Sequence, residues 1–180
     1  MQAWKHFKTI TRHKYLVMKG CFAVGLYRQG LLHDLSKYMP SEFWVGAKYY
    51  QGNQSPNNAE REAKGYSSSW LHHKGRNKHH FEYWIDYSGK KVDEVMQPAK
   101  MPNRYIVEMF IDRVAASKVY NGMFYTDWDA WHYYNKGNTA QFLHPYTWRL
   151  LEKLLYMNGK YGEEATYRYI RKHVLHNLSS

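Results

Sequence analysis

A chain of 180 residues lies within the size of one domain, and its single cysteine, Cys21, excludes an intramolecular disulfide and fits a reducing compartment. With 26 Lys and Arg against 15 Asp and Glu, a formal charge of +11 favours anionic partners such as nucleotides, phosphate esters or nucleic acid, although no block of like charges marks a dedicated nucleic-acid tail. No apolar run is long enough to span a bilayer and the N-terminus carries no secretory apolar core, so a cytoplasmic protein without membrane contact is expected.

Apolar positions Trp4, Phe7, Ile10, Leu16, Val17, Phe22, Val24 and Leu26 follow a helical period, which predicts a helix over residues 1–29 with a break near Gly20. His6 and His13 share one face of it. After Gly30 a further helix carries the adjacent pair His33-Asp34 and ends before Pro40. Neighbours on a helix point about 100° apart, so both can ligate only from the edge of a crowded site, a geometry that suits two metals sharing a carboxylate. Ser41 is expected to cap a short helix through Trp44, Ala47 and Tyr50, with Glu42 in its first turn. Residues 51–69 read as a long surface connection or lid with a helical turn at 58–64.

The stretch 70–84 gathers His72, His73, His79 and His80 within nine positions. An even spread of 11 histidines would leave only about half a residue there, and the excess points to a metal site. Gly75 and Asn77 mark a turn between helical segments ending near His73 and starting near His79. By the three- and four-residue neighbour rule, His73 lines up with Trp70, and His80 with Trp84. His73 and His80 are therefore the inward candidates, with His72 and His79 behind them or facing substrate. Residues 86–103 read as loop, with a short hairpin at 90–95. A helix over 103–120 places Glu108, Asp112, Ala115 and Ala116 close to one face. Asp112, next to an apolar run, needs Arg113, another cation or a metal to offset its burial. Helices over 126–135, 145–158 and 163–175 follow, punctuated by Gly137 and Gly159. The expected fold is all-α in one domain.

The order His13, His33-Asp34, the two His pairs, then Asp112 resembles the HD superfamily of metal-dependent phosphohydrolases, helical enzymes named for an adjacent His-Asp pair. His33-Asp34-Leu35-Ser36-Lys37 is similar to the His-Asp-Ile-Gly-Lys segment of one branch, whereas the Gly-Tyr-Pro signature of its cyclic-dinucleotide-cleaving members is absent. The resemblance implies an HD-like helical core over about residues 6–120 with a C-terminal helical extension over about 121–180. It also implies His33 and Asp34 as ligands, Asp112 as the closing carboxylate, His13 as the first ligand, and His73 and His80 as ligands of a second ion. At closer range, His-Asp-Leu-Ser-Lys-Tyr followed by Trp-Leu-His-His-Lys-x-x-Asn-x-His-His-x-Glu-Tyr-Trp resembles a family of bacterial and phage proteins known only as a domain of unknown function.

One or two ions of Mn, Fe, Co, Ni or Zn suit such an imidazole and carboxylate set. The expected activity is hydrolysis of a nucleotide or other small phosphate ester by metal-activated water, with Lys37 and Arg76 meeting the phosphate and Glu42 supplying an acid or base. Two alternatives compete with it: an HD-type di-iron oxygenase, and a non-enzymatic nucleic-acid-binding or phage structural protein whose histidines stack on bases.

Overall fold

The apolar stripe at the N-terminus folds as one unbroken helix, α1 (Gln2–Ala23), in a computed structural model that describes residues 2–89 and 95–175. Gly20 does not break it. A Cβ there would lie 2.6 Å from Ile111 Cγ2, so Gly20 is where α1 presses closest against α6 (Asn103–Asn121). The chain leaves the helix three residues after Phe22, at Gly25, whose φ of +85° is open to glycine and costly for an L side chain. A short α2 (Tyr27–Leu32) follows, and then a 3-10 turn, Leu35–Tyr38.

Pro40 opens α3 (Pro40–Lys48) instead of ending a helix, as a residue whose missing N–H is harmless at a first turn. Met39 stands at the cap position, so the expected Ser41 cap is displaced into the helix. The segment anticipated as a loop or lid holds α4 (Pro56–Lys64), with Pro56, Ala59 and Glu60 buried. Glu60 explains the packing. Its carboxylate accepts from Ser67 Oγ at 2.8 Å, Ser68 Oγ at 2.6 Å and Ser69 Oγ at 3.1 Å, clamping α4 to the start of α5 (Ser68–Lys74). Ser67 also caps α5 by accepting from the Trp70 N–H.

A 3-10 turn, Phe81–Trp84, leads into β1 (Ile85–Tyr87), which pairs antiparallel with β2 (Met96–Pro98) in the register Ile85 to Pro98. The expected hairpin at 90–95 falls almost wholly on residues outside those described. Beyond α6 come α7 (Asp129–Lys136) and α8 (Pro145–Tyr169). Two helices parted at Gly159 are expected over this last stretch. Instead α8 runs through Gly159, which is pressed so close to Trp128 that a Cβ would meet its Cε3 at 2.3 Å, and kinks at Gly162 with φ 78°.

The core joins both ends of the chain. Val17 and Cys21 of α1, Ile106, Phe110 and Ile111 of α6, and Leu151, Leu154 and Leu155 of α8 form one buried cluster, so the all-α fold is a single domain. Among the described residues no helix is long and apolar enough to cross a membrane. Burial pushes the Cys21 thiol up, away from the reactive thiolate.

Candidate metal centre

The His33-Asp34 pair sits between helices, not on one. His33 caps the end of α2, and Asp34 takes left-handed backbone angles (φ 54°, ψ 26°) that an aspartate tolerates better than most residues. This break throws the Asp34 carboxylate into the middle of the domain. There Oδ2 lies 3.2 Å from His33 Nε2 and 3.7 Å from His13 Nε2, while Oδ1 lies 3.2 Å from His73 Nε2 and 3.4 Å from His79 Nε2. Asp112 Oδ1 closes the first side, 2.9 Å from His13 Nε2 and 3.4 Å from His33 Nε2.

Two groups of side chains thus share one aspartate. His13, His33, Asp34 and Asp112 offer ligand atoms all within 4.8 Å of one another, and so do Asp34, His73, His79 and His80. The Nε2 atoms of all five histidines and Asp34 Oδ1 are buried without a hydrogen-bond donor facing them among the described residues, and Asp34 Oδ2 meets only the Lys37 ammonium as a donor outside the cluster. Leaving so many polar atoms unpaired in an interior costs roughly 1–3 kcal/mol each, which is a strong sign of a missing group.

The opposite ring nitrogens say what that group is. His33 Nδ1 donates to Glu108 Oε1 at 2.9 Å, and His73 Nδ1 to Glu42 Oε2 at 2.8 Å. His79 Nδ1 lies 3.3 Å from the same Glu108 oxygen. A carboxylate that holds Nδ1–H fixes the tautomer in which the Nε2 lone pair points inward, the arrangement of metal-ligating histidines. The donor set therefore fits divalent metal, and these residues can hold it.

Charges agree. Burial opposes an ionised Glu108, yet the Nδ1–H groups of His33 and His79 hold its carboxyl down to about 2. Burial likewise opposes an ionised Asp34, but the neighbouring His33, Lys37 and His73 keep it well below the usual carboxylate range. Burial and the adjacent His79 and His73 push His80 well below its ordinary value, leaving its lone pair free.

Of the residues singled out above, His13, His33, Asp34, His73, His80 and Asp112 all converge here. His79 converges with them. The neighbour rule that set it aside fails because His80 has extended backbone (φ −90°, ψ 131°) and the helical turn starts only at Phe81. His72 stands apart, half-buried, with Nδ1 2.6 Å from Glu42 Oε1. Glu42 grips these two imidazoles and stands behind the cluster, not at a reacting group. Lys37 reaches the cavity wall, but its ammonium is engaged by Asp34 Oδ2 at 2.5 Å. Arg76 does not join the site: it lies on the surface, donating to the His72 carbonyl. Glu108 is the residue without an assigned role that proves central. Its spacing four residues before Asp112, on the same face of α6, is the signal that points to it.

Four members of the cluster, His13, His73, His80 and Asp112, line a cavity of about 750 Å³, the size of a small-molecule site, with walls from α1, α3, α4, α5, α6 and α7.

Comparison with curated proteins and with solved structures gives no match. A family model does match, over residues 2–157, a span that includes every side chain of the centre and all of the cavity wall; by that match the chain belongs to DUF5662, a family of unknown function.

Proposed function

We propose that the protein is a metal-dependent phosphohydrolase with two divalent ions sharing Asp34, acting on a nucleotide or another small phosphate ester. One observation carries the reading: the unpaired Nε2 and carboxylate atoms that converge around Asp34 from two sides. His13, His33 and Asp112 would complete one ion's set, and His73, His79 and His80 the other's. Ions held there would lower the pKa of a bound water and offset charge on a phosphoryl group. The order of these residues, similar to that of HD phosphohydrolases, supports the same chemistry.

The chain's own groups do the positioning. Glu108 and Glu42 lock three imidazoles in place through Nδ1, so that little reorganisation is needed when substrate arrives. Lys37 offsets the charge that Asp34 and Asp112 bring into the interior. The cavity beside the cluster has the volume for a small anionic ester. A protein whose histidines stack on nucleic-acid bases would expose them, whereas His13, His33, His73 and His79 are buried.

Protein loaded separately with Mn, Fe, Co, Ni or Zn should release phosphate from some member of a nucleotide and phosphate-ester panel, and chelation or Asp34→Ala should abolish the release. Stoichiometric metal without hydrolysis under any loading would overturn the proposal, and an O₂-dependent optical signal in the iron form would then place the site with the di-iron oxygenases.

A further inference from the structure

The cavity has cations that the metal cluster does not use. Arg61 on α4 and Arg113 on α6 both line it, and neither has a carboxylate ion-pair partner among the described residues. Each is nonetheless held in place. Arg61 donates to Asn58 Oδ1 at 2.9 Å and its Cζ lies 5.5 Å from the centre of the Trp70 ring. Arg113 lies over Tyr134 at 5.6 Å, and its Nε is buried with no hydrogen-bond partner. A guanidinium that is braced by an aromatic face and still carries unused donors is built to receive an anion.

Both arginines lie near the cluster. Arg113 directly follows Asp112 on α6 and lines the same cavity as Arg61. Trp70 places Arg61. Its ring centre is 4.6 Å from that of His80 and 5.5 Å from Arg61 Cζ, so the guanidinium lies no more than about 10 Å from a ring of the cluster.

We infer that Arg61 and Arg113 form a phosphate-binding subsite in the cavity beside the metal cluster, one that grips the substrate's phosphoryl oxygens with or without metal. The inference rests on the phosphohydrolase reading for its substrate but not for its anion. Two guanidinium forks offer more donors than the two oxygens of a carboxylate can accept, which favours a phosphoryl group over a carboxylate. Of the carboxylates on the same wall, Glu42 and Asp112 are taken by histidines and Asp129 by Thr126 and Asn121. Glu82 keeps a buried, unpartnered Oε2, an acceptor for a hydroxyl on the alcohol part of the ester.

The test is calorimetric titration of inorganic phosphate into the whole protein, once in EDTA and once with Mn²⁺, with acetate as the carboxylate control. Phosphate should bind in EDTA at least tenfold more tightly than acetate. Arg61→Ala and Arg113→Ala should each weaken it tenfold or more, Arg61→Lys and Arg113→Lys should keep part of it, and Arg168→Ala, an exposed cation elsewhere, should change nothing. Absent phosphate binding in EDTA, or binding indifferent to both arginines in variants that melt like the wild type, would overturn the subsite. Arginine-dependent binding without hydrolysis under any of the Mn, Fe, Co, Ni or Zn loadings would sink the phosphohydrolase reading alone, whereas hydrolysis with arginine-independent phosphate affinity would sink the subsite alone.

Discussion

Replacing Glu108 by Gln tests how the centre is held without changing a member of either group that shares Asp34. Its Oε1 receives His33 Nδ1–H at 2.9 Å and faces His79 Nδ1 at 3.3 Å, while Oε2 accepts from Gln29 at 3.1 Å. Since the carboxyl is held down to about 2, it is ionised at any working pH, and the amide removes a full charge in nearly the same volume. Charge-assisted bonds to both imidazoles weaken to neutral ones, and because an amide NH₂ cannot accept, one glutamine cannot serve both the imidazoles on the Oε1 side and Gln29 on the Oε2 side. Loss of such an outer partner typically weakens metal binding about 10–100-fold, or about 1.4–2.8 kcal/mol. Because His33 belongs to one ligand group and His79 to the other, both ions should bind more weakly. Glu42→Gln, which frees only His73 of the cluster, should weaken one. Competition of Zn²⁺ or Mn²⁺ against a chelating indicator reads both affinities, with melting in EDTA as the folding control. A Glu108→Gln protein that melts normally and binds both ions within about threefold of wild type would refute the argument that these imidazoles are held through Nδ1.

Asp34→Ala should bring metal content to zero by elemental analysis and His13→Ala should leave one ion, because only Asp34 belongs to both groups. Gly20→Val forces a side chain into Ile111 and should cost about 1–3 kcal/mol, seen as a fall of roughly 2–10 °C in melting temperature. Glu60→Ala takes the carboxylate acceptor from the Ser67 and Ser68 hydroxyls, while Ser69 still donates to Asn57 Oδ1 at 2.8 Å, and should cost about 1–3 kcal/mol in denaturant unfolding. The same carboxyl has an acid signature. Burial opposes its ionisation, but Ser68, Ser67 and Lys64 hold it from an ordinary 4.5 down to about 2. A depressed folded-state pKa stabilises above the unfolded value, so this contribution is complete above about pH 4.5 and is lost as pH falls toward about 2. Stability measured against pH should therefore fall less steeply through that window in Glu60→Gln than in the wild type.

Much of the centre is legible in the sequence because its residues are unusual where they stand. Four histidines in nine positions and an aspartate beside an apolar run each need an explanation that solvent exposure does not supply, and α1 is regular enough for period to put His6 and His13 on one face, which is buried. One error arises where the backbone is not helical. Choosing His80 over His79 relies on a helical period in a segment whose backbone is extended, and both side chains turn inward. The two glycines read as breaks, Gly20 and Gly159, are instead contact points between helices, and residue type alone does not separate these uses. Glu60 within a polar stretch looks solvated until the serines of the next helix close over it.

The same distinction bears on the aspartate itself. On a regular helix, Asp34 would lie on a flank roughly 100° from His33, and its two oxygens would look out over the same side. Left-handed angles between α2 and the following turn instead lift the carboxylate clear of both, so that Oδ2 meets α1 and α6 through His13 and Asp112 while Oδ1 meets the histidines at the end of α5 and beyond. A shared carboxylate needs that freedom on both sides. The break in the helix is thus the feature that allows one residue to serve two ligand groups, and a substitution that restored helical backbone at Asp34 should separate them even with every ligand present.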